Sequence, residues 1–470
     1  MFEIALRELT EVVRGEIKAD PSPGIKLIRG ISIDSRSIEK DNLFIAIPGE
    51  RFDGHQFVEE AAKRGAKAAI VAKERIDAVP ADNVRNMALI WVDDTKKALR
   101  DVASWHRRKF DLPTVAITGT NGKTTTKDMT AEVLSSKFRV LKSPESYNNL
   151  VGVPLTLFGL DSSTEALVLE LGMSSPGEIG ILTRMSSPTV GVITNIGPAH
   201  LESMEDTEKI AQAKFELPDN MPSPKILVLN ADDRILAHRI KQSRADEQVI
   251  SFAIKNRADL GADRIEANGD GNVSFRVNRS LVVSLKLLGW HNVYNALAAF
   301  AVGKLLGVSE NDIKESLERC TPANRRMELI QVGDIRIIND SYNANPVSME
   351  RALETLKNVK TPGRKLAVLA DMLELGEESL HFHLELGKRV TQSGVNLLLL
   401  VGELARFIGQ GAKEAGMKAE SVLTFENNRQ IGTYLLENLK EGDLLLVKGS
   451  RKMKTEEIVL TLRSQYGRQN

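Results

Sequence analysis

Apolar and polar positions alternate along the chain in a way that predicts strands and helices in turn. Short runs rich in Val, Ile and Leu are each followed by a longer stretch with helical spacing, and Gly, Pro, Asn or Asp residues separate the two. Runs that are apolar throughout are typical of parallel strands covered by helices on both faces. The pattern therefore predicts an α/β protein of three domains: a small N-terminal αβ domain (1–110), a central domain with a parallel sheet (111–318) and a C-terminal Rossmann-like domain (319–470).

The predicted elements recur regularly in each domain. In the N-terminal domain we predict an amphipathic helix over 1–17, a helix at 56–65, and strands at 31–36, 42–49 and 68–71. The central domain has predicted strands at 115–118, 139–142, 166–171, 189–195, 225–229 and 248–252, then a hairpin over 272–288 and a helix from 291. The C-terminal domain has predicted strands at 335–338, 365–369, 396–401, 421–425 and 443–447. The polar stretch 51–55 is interpreted as a turn with a helix N-cap.

Composition narrows the class of protein. The 470 residues are 42% hydrophobic, which is ample for several packed cores. Lys and Arg together number 63, as do Asp and Glu, so the chain lacks the positive field that nucleic-acid binding requires. The single cysteine, Cys320, excludes an internal disulfide framework, and no segment approaches the roughly 20 apolar residues that span a bilayer. We therefore expect a cytoplasmic protein, a monomer with neither nucleic-acid nor membrane partners.

The segment from Val115 to Lys127 predicts a phosphate-binding loop. An apolar strand leads into Gly119-Thr120-Asn121-Gly122-Lys123-Thr124, and a helix follows. Backbone N–H groups of such a loop and of the helix N-terminus bind phosphate oxygens, while Lys123 would reach the β- and γ-phosphates and Thr124 would hold Mg²⁺. Ile117 stands where the eight-residue consensus has its first glycine, so only the second half of the motif matches. The alternative is an ordinary βα turn rich in Gly and Thr.

Polar residues at the ends of other predicted strands are candidates for the same site. Glu170 interrupts an apolar strand, where an acid is costly unless it meets a cation, and His200 follows the next strand and turn. Either alone is interpreted more simply as a hydrogen-bonded polar residue, but with the phosphate loop they suggest a Mg²⁺ site. Asn292 and Asn295 lie three residues apart and hence on one face of a helix. This spacing is typical of two amides that bind a ligand, and equally of a helix cap followed by one exposed amide.

Three polar loops follow strands of the C-terminal domain. Their positions are 339–346, 371–376 and 448–451. The carboxyl ends of parallel strands are where open α/β sheets bind ligands, so the first two are candidates for the site. The third, Lys448-Gly449-Ser450-Arg451, is interpreted on its own as a solvated basic turn.

Taken in order, the motifs resemble those of the Mur ligases, the ATP-dependent amide-forming enzymes of peptidoglycan precursor synthesis. The resemblance rests on Asp34-Ser35-Arg36, Asp53-Gly54-His55, GTNGKTTT, LELGM, NIGPAHLE, the AKxE pattern at 213–216, WHNVYNA, RRME and NDSYNANP. The NDSYNANP, ADMLELG and NNLVGVP segments resemble the member that joins D-alanyl-D-alanine to a UDP-muramoyl tripeptide. The Asp-Asn-Pro-Arg string typical of the member that adds the third amino acid is absent. Ser146 and Phe215 depart from the family pattern, where we expect Asn and a small residue.

The resemblance implies a reaction. ATP would phosphorylate the terminal carboxylate of the UDP-linked tripeptide, and the amine of D-alanyl-D-alanine would attack the acyl phosphate. Lys123, Thr124 and the rest of the loop through Thr125 would bind ATP. Thr124 and Glu170 would hold a first Mg²⁺, and His200 would hold a second. A carbamylated Lys214 would bind Mg²⁺ or orient the γ-phosphate.

The resemblance also assigns residues outside the phosphate loop. Asn292 and Asn295 would face the adenine. Arg326 would reach the γ-phosphate from the C-terminal domain, and Asp340 would line the same site. For the sugar-nucleotide substrate, the implied contacts are Ser35, Arg36, Asn148 and Asn149.

Other classes of protein remain open from the sequence. A sister ligase that adds the third amino acid and a folylpolyglutamate synthetase share the central domain, although the sugar-nucleotide domain argues against the latter. A non-catalytic nucleotide-binding protein would share the fold but should have lost Lys123, Glu170 or Lys214, and all three are present.

Overall fold

The fold consists of three α/β units arranged along the chain. The computed structural model describes residues 2–19, 27–49, 52–78, 84, 87–145, 147–199, 201–204 and 206–466. Within these residues the strands form sheets of two, five, nine and six strands, and most of the pairing is parallel, as the apolar runs predict. No helix among the described residues is long and apolar enough to cross a membrane.

The N-terminal unit contains a two-stranded and a five-stranded sheet. Its elements are β1 (Glu3–Ala5), α1 (Leu6–Val13), β2 (Glu16–Ala19), β3 (Leu27–Arg29), β4 (Ile31–Ser32), β5 (Leu43–Ile45), α2 (Val58–Lys63), β6 (Ala68–Ala72), β7 (Ala88–Val92) and α3 (Thr95–Arg107). The strand order is β2-β7-β6-β5-β4, with β2 antiparallel to β7, and β1 pairs with β3.

Three predictions for this unit are wrong in extent, and one of them is the strand at 42–49, of which only Leu43–Ile45 is a strand. The predicted helix over 1–17 is only α1, because Glu3–Ala5 pair with β3 as a strand and Arg14 adopts the left-handed conformation that ends a helix. The predicted strand at 31–36 is short because the Asp34 carboxylate accepts a hydrogen bond from the Arg36 N–H and starts a 3₁₀ turn over Ser35–Ser37.

The stretch 51–55 matches its interpretation in the part that the structure describes. The Asp53 carboxylate caps a 3₁₀ helix at Gly54–Phe57 by accepting from the His55 N–H, while Arg51 lies outside the described residues.

The central unit is organised around a nine-stranded sheet. Its elements are β8 (Thr114–Thr118), α4 (Lys123–Ser135), β9 (Val140–Lys142), α5 (Gly152–Leu157), β10 (Ala166–Glu170), α6 (Glu178–Ser186), β11 (Val190–Ile193), α7 (Leu201–Met204), α8 (Thr207–Asn220), β12 (Lys225–Asn230), α9 (Arg234–Lys241), β13 (Glu247–Ala253), β14 (Leu260–Ala267), β15 (Asn272–Val277), β16 (Leu281–Leu288), α10 (His291–Leu305) and α11 (Glu310–Arg319). The order is β16-β15-β14-β13-β12-β11-β8-β10-β9, so β10 and β11 flank β8 and all three end at one edge. The predicted hairpin is β15–β16, and β14 was missed.

The C-terminal unit is a six-stranded, mostly parallel sheet. Its elements are β17 (Glu328–Val332), β18 (Ile335–Asn339), α12 (Pro346–Asn358), β19 (Lys365–Ala370), α13 (Ser379–Gln392), β20 (Leu397–Val401), α14 (Ala405–Glu414), β21 (Val422–Phe425), α15 (Asn428–Asn438), β22 (Leu444–Lys448) and α16 (Glu456–Tyr466). The strand order is β17-β18-β22-β19-β20-β21, in which β17 is antiparallel to β18 and the other pairs are parallel. Strand β17 was not predicted.

The C-terminal unit contacts the central unit on two sides. On one side the Lys360 N–H donates to the Gly269 carbonyl at 3.1 Å, and Arg336 pairs with Asp270 at 3.2 Å. On the other the Glu202 N–H donates to the Glu374 carbonyl at 3.2 Å. These contacts position the ends of strands β18, β19 and β22 opposite the phosphate loop.

Candidate active site

The phosphate loop connects β8 to α4 in a conformation that requires glycine. Gly119 and Gly122 have φ of 140° and 84°, and a Cβ on Gly122 would lie 2.3 Å from the Asn295 side-chain oxygen. The Lys123 ammonium donates to the carbonyls of Gly119 and Thr120, at 2.9 and 3.0 Å. Burial lowers the pKa of Lys123, as does the charge of Arg326, while Glu170 opposes the shift. The loop, the start of α4 and two cations thus form a site suited to anionic phosphates.

Thr124 and Glu170 form a buried pair of oxygen donors beside this loop. The Thr124 hydroxyl donates to the Glu170 carboxylate at 2.7 Å, and the Asn148 amide donates to its other oxygen at 2.8 Å. Glu170 is 2% exposed, and it ends β10, where it pairs with Ile117 of β8. Magnesium prefers such oxygen ligands with nucleotide phosphates, so these residues fit the predicted ion. His200, the other predicted ligand, lies outside the described residues.

Lys214 lies on α8 and is only 3% exposed. Burial and the charge of Lys123 hold the pKa of Lys214 well below its usual value, while Glu216 and Glu170 oppose the shift. The Glu216 carboxylate is itself engaged by the N–H groups of Gly177 and Gly180, at 2.6 and 2.8 Å. An ammonium at Lys214 is therefore electrostatically unfavourable in this position.

Asn292 and Asn295 are buried and hydrogen-bonded to the protein. The Asn295 oxygen accepts from the Thr126 hydroxyl at 3.2 Å, and its amide donates to the Asn292 oxygen at 2.8 Å. The Asn292 amide donates to the Leu288 carbonyl at 2.8 Å. The two amides therefore pack α10 against the helix that follows the phosphate loop, and their adenine contact stays a prediction.

Arg326 and Asp340 belong to the C-terminal side of the site. The Arg326 guanidinium lies 3.9 Å from the centre of the Tyr342 ring. One Asp340 oxygen accepts from the Lys448 ammonium at 2.5 Å and the other from the Met327 N–H at 3.1 Å. The interpretation of 448–451 as a solvated turn is wrong for Lys448, which ends β22 and pairs with Asp340, and for Ser450, which accepts from the Leu373 N–H; both are buried, and only Arg451 is exposed.

A pair of side-chain amides joins the phosphate loop directly to the C-terminal unit. The Asn345 amide donates to the Asn121 oxygen at 2.9 Å, and the Asn121 amide donates back at 3.4 Å. Asn345 is also the N-cap of α12, and its oxygen accepts from the Ser348 N–H at 2.9 Å. Asn195 holds the backbone of Asn121 by accepting from its N–H and donating to its carbonyl. Because the residues of this pair are 224 positions apart, no local pattern could have revealed the contact.

One cavity of about 820 Å³ is lined by most of the predicted site residues, which belong to the central and C-terminal units. Those that line it are Gly119, Thr120, Asn121, Gly122, Lys123, Thr124, Thr125, Asn148, Asn149, Glu170, Lys214, Asn292, Asn295, Arg326 and Asp340. The cavity is also lined by Asn345, which belongs to the candidate loop 339–346, and by residues that the sequence interpretation missed, among them Lys96, Arg100 and Lys448. Spacing could have suggested Lys96 and Arg100, which lie four apart on one face of a helix.

Ser35 and Arg36 lie outside the lining of this cavity. The Ser35 hydroxyl donates to the Glu60 carboxylate at 2.9 Å. Arg36 donates to both oxygens of Asp34, an arrangement that lowers the pKa of Asp34 to about 2. Their predicted role toward the uridine end of a substrate stays a prediction.

The chain is similar to known proteins over nearly all of its length. Residues 27–107, 117–303 and 325–451 match the families described as "Mur ligase family, catalytic domain", "Mur ligase middle domain" and "Mur ligase, glutamate ligase domain". The "UDP-N-acetylmuramoyl-tripeptide--D-alanyl-D-alanine ligase" of Bacillus subtilis is 35% identical over 463 residues, which cover 98% of this chain and 99% of the relative. The chain belongs to the Mur ligase family.

Further comparisons agree with this membership. The Escherichia coli ligase of the same name is 31% identical over 98% of this Mur ligase and 99% of the relative. Crystal structure I of MurF from Acinetobacter baumannii superposes with a TM-score of 0.88 at 30% identity over 99% of each chain. MurF from Thermotoga maritima in complex with ADP superposes with a TM-score of 0.82 at 27% identity, over 94% of this chain and 99% of that chain. A Mycobacterium tuberculosis folylpolyglutamate synthase is 17% identical and superposes with a TM-score of 0.61, so it shares the fold alone. As a Mur ligase, the chain is an ATP-dependent, ADP-forming ligase.

Proposed function

We propose that the chain joins D-alanyl-D-alanine to UDP-N-acetylmuramoyl-tripeptide, with ATP as the phosphoryl donor, in peptidoglycan precursor synthesis. The observation that carries this proposal is the single cavity that unites the phosphate loop, the Thr124–Glu170 pair and Arg326 of the C-terminal unit. Full-length relatives named for this reaction support the choice of substrates.

The first step would transfer the γ-phosphoryl group to the tripeptide. A terminal carboxylate oxygen attacks the γ-phosphorus, and the bond to the β-phosphate oxygen breaks to release ADP. Such a reaction depends on positioning and on neutralising charge. In this chain Lys123 and the loop N–H groups would hold the phosphates, and Arg326 would approach the γ-phosphate from the opposite unit.

The second step would form the amide bond. The unprotonated amine of D-alanyl-D-alanine attacks the acyl carbon, the carbon–oxygen bond to phosphate breaks, and the nitrogen loses a proton. Lys123 and Arg326 would stabilise the departing phosphate, which carries the charge that develops in this step.

Magnesium would be held by Thr124 and Glu170. Their buried oxygen atoms lie next to the first residue of α4, within the cavity that would contain the phosphates. The ion would supply charge neutralisation at the phosphate oxygens when bound. His200 stays the predicted ligand of a second ion.

Lys214 would carry a carbamate. Its amine would react with carbon dioxide and release a proton, which turns an unfavourable buried cation into an anion. The burial of Lys214 and the nearby charge of Lys123 support this proposal, since both favour the uncharged amine that reacts. The carbamate would offer oxygen atoms to Mg²⁺ or orient the γ-phosphate.

The sugar nucleotide would enter from the N-terminal side of the cavity. Lys96 and Arg100 of α3 line this end together with Asn148 and Asn149. Two cations one helical turn apart suit a diphosphate, and the amides suit the sugar. Ser35 and Arg36 would then contact the uridine, farther along the same unit.

The reaction itself is the test of this proposal. Phosphate release from ATP should require both the UDP-muramoyl tripeptide and D-alanyl-D-alanine, and mass spectrometry should detect the pentapeptide product. Equal activity with a free amino acid and a UDP-muramoyl dipeptide would instead identify the sister ligase that adds the third residue.

A further inference from the structure

The backbone that carries Arg326 is strained on both sides of this residue. The Arg326 N–H donates to the Ala323 carbonyl at 3.1 Å and closes a β-turn, in which Arg325 is the third residue. Arg325 and Met327 have φ of 60° and 52°. Glycine adopts such values freely, whereas a residue with a Cβ adopts them at a cost in free energy. Other contacts must therefore hold the segment in this conformation.

Backbone contacts hold part of the segment. The Met327 N–H donates to the Asp340 carboxylate at 3.1 Å, and the Tyr342 N–H donates to the Arg325 carbonyl at 3.1 Å. The Tyr342 ring also lies 3.9 Å from the Arg326 guanidinium. These contacts attach the segment to the C-terminal sheet, and none of them involves the side chain of Arg325.

The side chain of Arg325 ends on the last helix of the chain. Its guanidinium donates to the Glu456 carboxylate at 2.8 Å, and the two side chains are 28% and 16% exposed. Glu456 begins α16, which packs against β17, β18 and β22. In the part of the chain that the structure describes, the other oxygen of Glu456 is buried without a hydrogen-bond partner, and Arg451 lies 3.9 Å from the first. Arg325 is thus the main partner of this carboxylate.

An ion pair in this position opposes relaxation of the turn. Relaxation would change φ of Arg325 and so reorient its side chain relative to α16. Because both side chains are largely buried, separating them would leave two poorly hydrated charges, which costs more than breaking an exposed pair. The pair therefore links the conformation of the backbone at Arg325 to a helix that is packed on the sheet.

We propose that Arg325 and Glu456 are positioning residues for Arg326. Their ion pair holds the turn at 323–326 in the left-handed conformation that directs the Arg326 guanidinium into the cavity. This inference rests on the proposed function, because that function assigns Arg326 to the γ-phosphate. Neither Arg325 nor Glu456 lines the cavity, so their loss should lower kcat and leave nucleotide binding unchanged.

Two substitutions of Arg325 separate the ion pair from the backbone conformation. Alanine and glycine both remove the pair, but only alanine keeps the conformational cost of a φ of 60°. Arg325→Ala should lower kcat about fivefold or more, because the turn then relaxes, whereas Arg325→Gly should keep kcat within about twofold of the wild type. Calorimetric titration with ADP should give the same affinity for both variants, since the phosphate loop belongs to the central unit.

Glu456→Ala tests the other end of the pair. It should lower kcat about as much as Arg325→Ala, and the variant with both changes should lose no more than either alone. In the Arg325→Gly background, Glu456→Ala should have little further effect, because Glu456 acts only through Arg325.

Arg279 offers a matched control for the backbone conformation. It is exposed, has a φ of 63° in the turn between β15 and β16, and does not line the cavity. Arg279→Ala and Arg279→Gly should therefore both leave kcat unchanged.

The outcomes separate this inference from the proposed function. If the wild-type enzyme makes the pentapeptide and Arg325→Ala keeps its kcat, the ion pair does not position Arg326. Equal losses of kcat in Arg325→Ala and Arg325→Gly would mean that the pair stabilises the fold without directing the guanidinium, which also overturns the inference. If the wild-type enzyme makes no product, the proposed function fails, and this inference fails with it.

Discussion

Replacing Asn345 with serine tests whether the amide pair with Asn121 stabilises the docking of the C-terminal unit on the phosphate loop. Serine is also a good N-cap, so α12 should keep its capping hydrogen bond from Ser348. The shorter side chain removes both bonds to Asn121, one at 2.9 Å and one at 3.4 Å. The variant therefore separates the interdomain contact from the stability of the helix.

The expected magnitude follows from these two bonds. A net contribution of about 1 kcal/mol is reasonable for one well-formed and one long hydrogen bond in a half-buried position. That free energy corresponds to about a fivefold loss of the docked arrangement, and hence of kcat/KM for the peptide substrate. The affinity of the central unit for ADP should not change, because the backbone of Asn121 keeps its bonds with Asn195.

Phosphate release and calorimetric titration with ADP measure these two quantities. Asn345→Ala is the matched control, since it loses the cap as well and should lower the free energy of unfolding by about 1 kcal/mol more than the serine variant. Combining Asn345→Ser with Asn121→Ala should cost no more than either change alone. Full activity in Asn345→Ser would refute the role of the amide pair. So would a loss of kcat/KM in the double variant that equals the product of the losses in the two single variants.

Three further changes probe other parts of the molecule. Lys214→Ala should lose nearly all activity and recover part of it with high concentrations of acetate or propionate, whereas full activity without added carboxylate would exclude the carbamate. Arg326→Ala should lower kcat at least tenfold with ADP binding largely intact, and an unchanged kcat would exclude a role at the γ-phosphate. Burial alone would raise the pKa of Asp443, but Arg364 and backbone N–H groups lower it overall, so its contribution to stability is present near pH 7 and lost as pH falls through the folded-state pKa. Asp443→Asn should thus reduce the free energy of unfolding by about 2 kcal/mol at pH 7 in denaturant titrations and by less at pH 3, and an equal loss at both would contradict this reasoning.

The sequence predicted what local patterns determine. The strand, glycine loop and helix around Lys123 were recognisable because each depends on residues within one turn or one strand. Strand β14 was missed because Leu260–Ala267 contains Gly, Asp, Arg and Glu and is a strand only through its pairing with β13 and β15. Strand β17 is an edge strand with a single buried residue, so it lacks a continuous apolar run.

The sequence predicted the site residues that lie at the ends of neighbouring strands. It did not predict the contacts between the units. Glu170 and Thr124 were expected together because neighbouring parallel strands end at one edge, and the structure joins them. The partner of Asn121 depends on how the C-terminal unit is placed, which no periodicity encodes, and the partners of Asp340 lie on other segments of its own unit, far away in the sequence or before the strand.

The hydrogen bond from the Met327 N–H to Asp340 fixes which part of the chain carries Arg326. Through Asp340 and Lys448, the residue after Arg326 is tied to the end of the C-terminal sheet. The backbone that carries the guanidinium is therefore attached to the C-terminal unit. ATP bound to the central unit alone would lack the Arg326 guanidinium. The charge of its γ-phosphate would then be incompletely neutralised, which would slow attack by water. The hydrogen bond from the Met327 N–H would thus limit the hydrolysis of ATP by water when the peptide substrates are not bound.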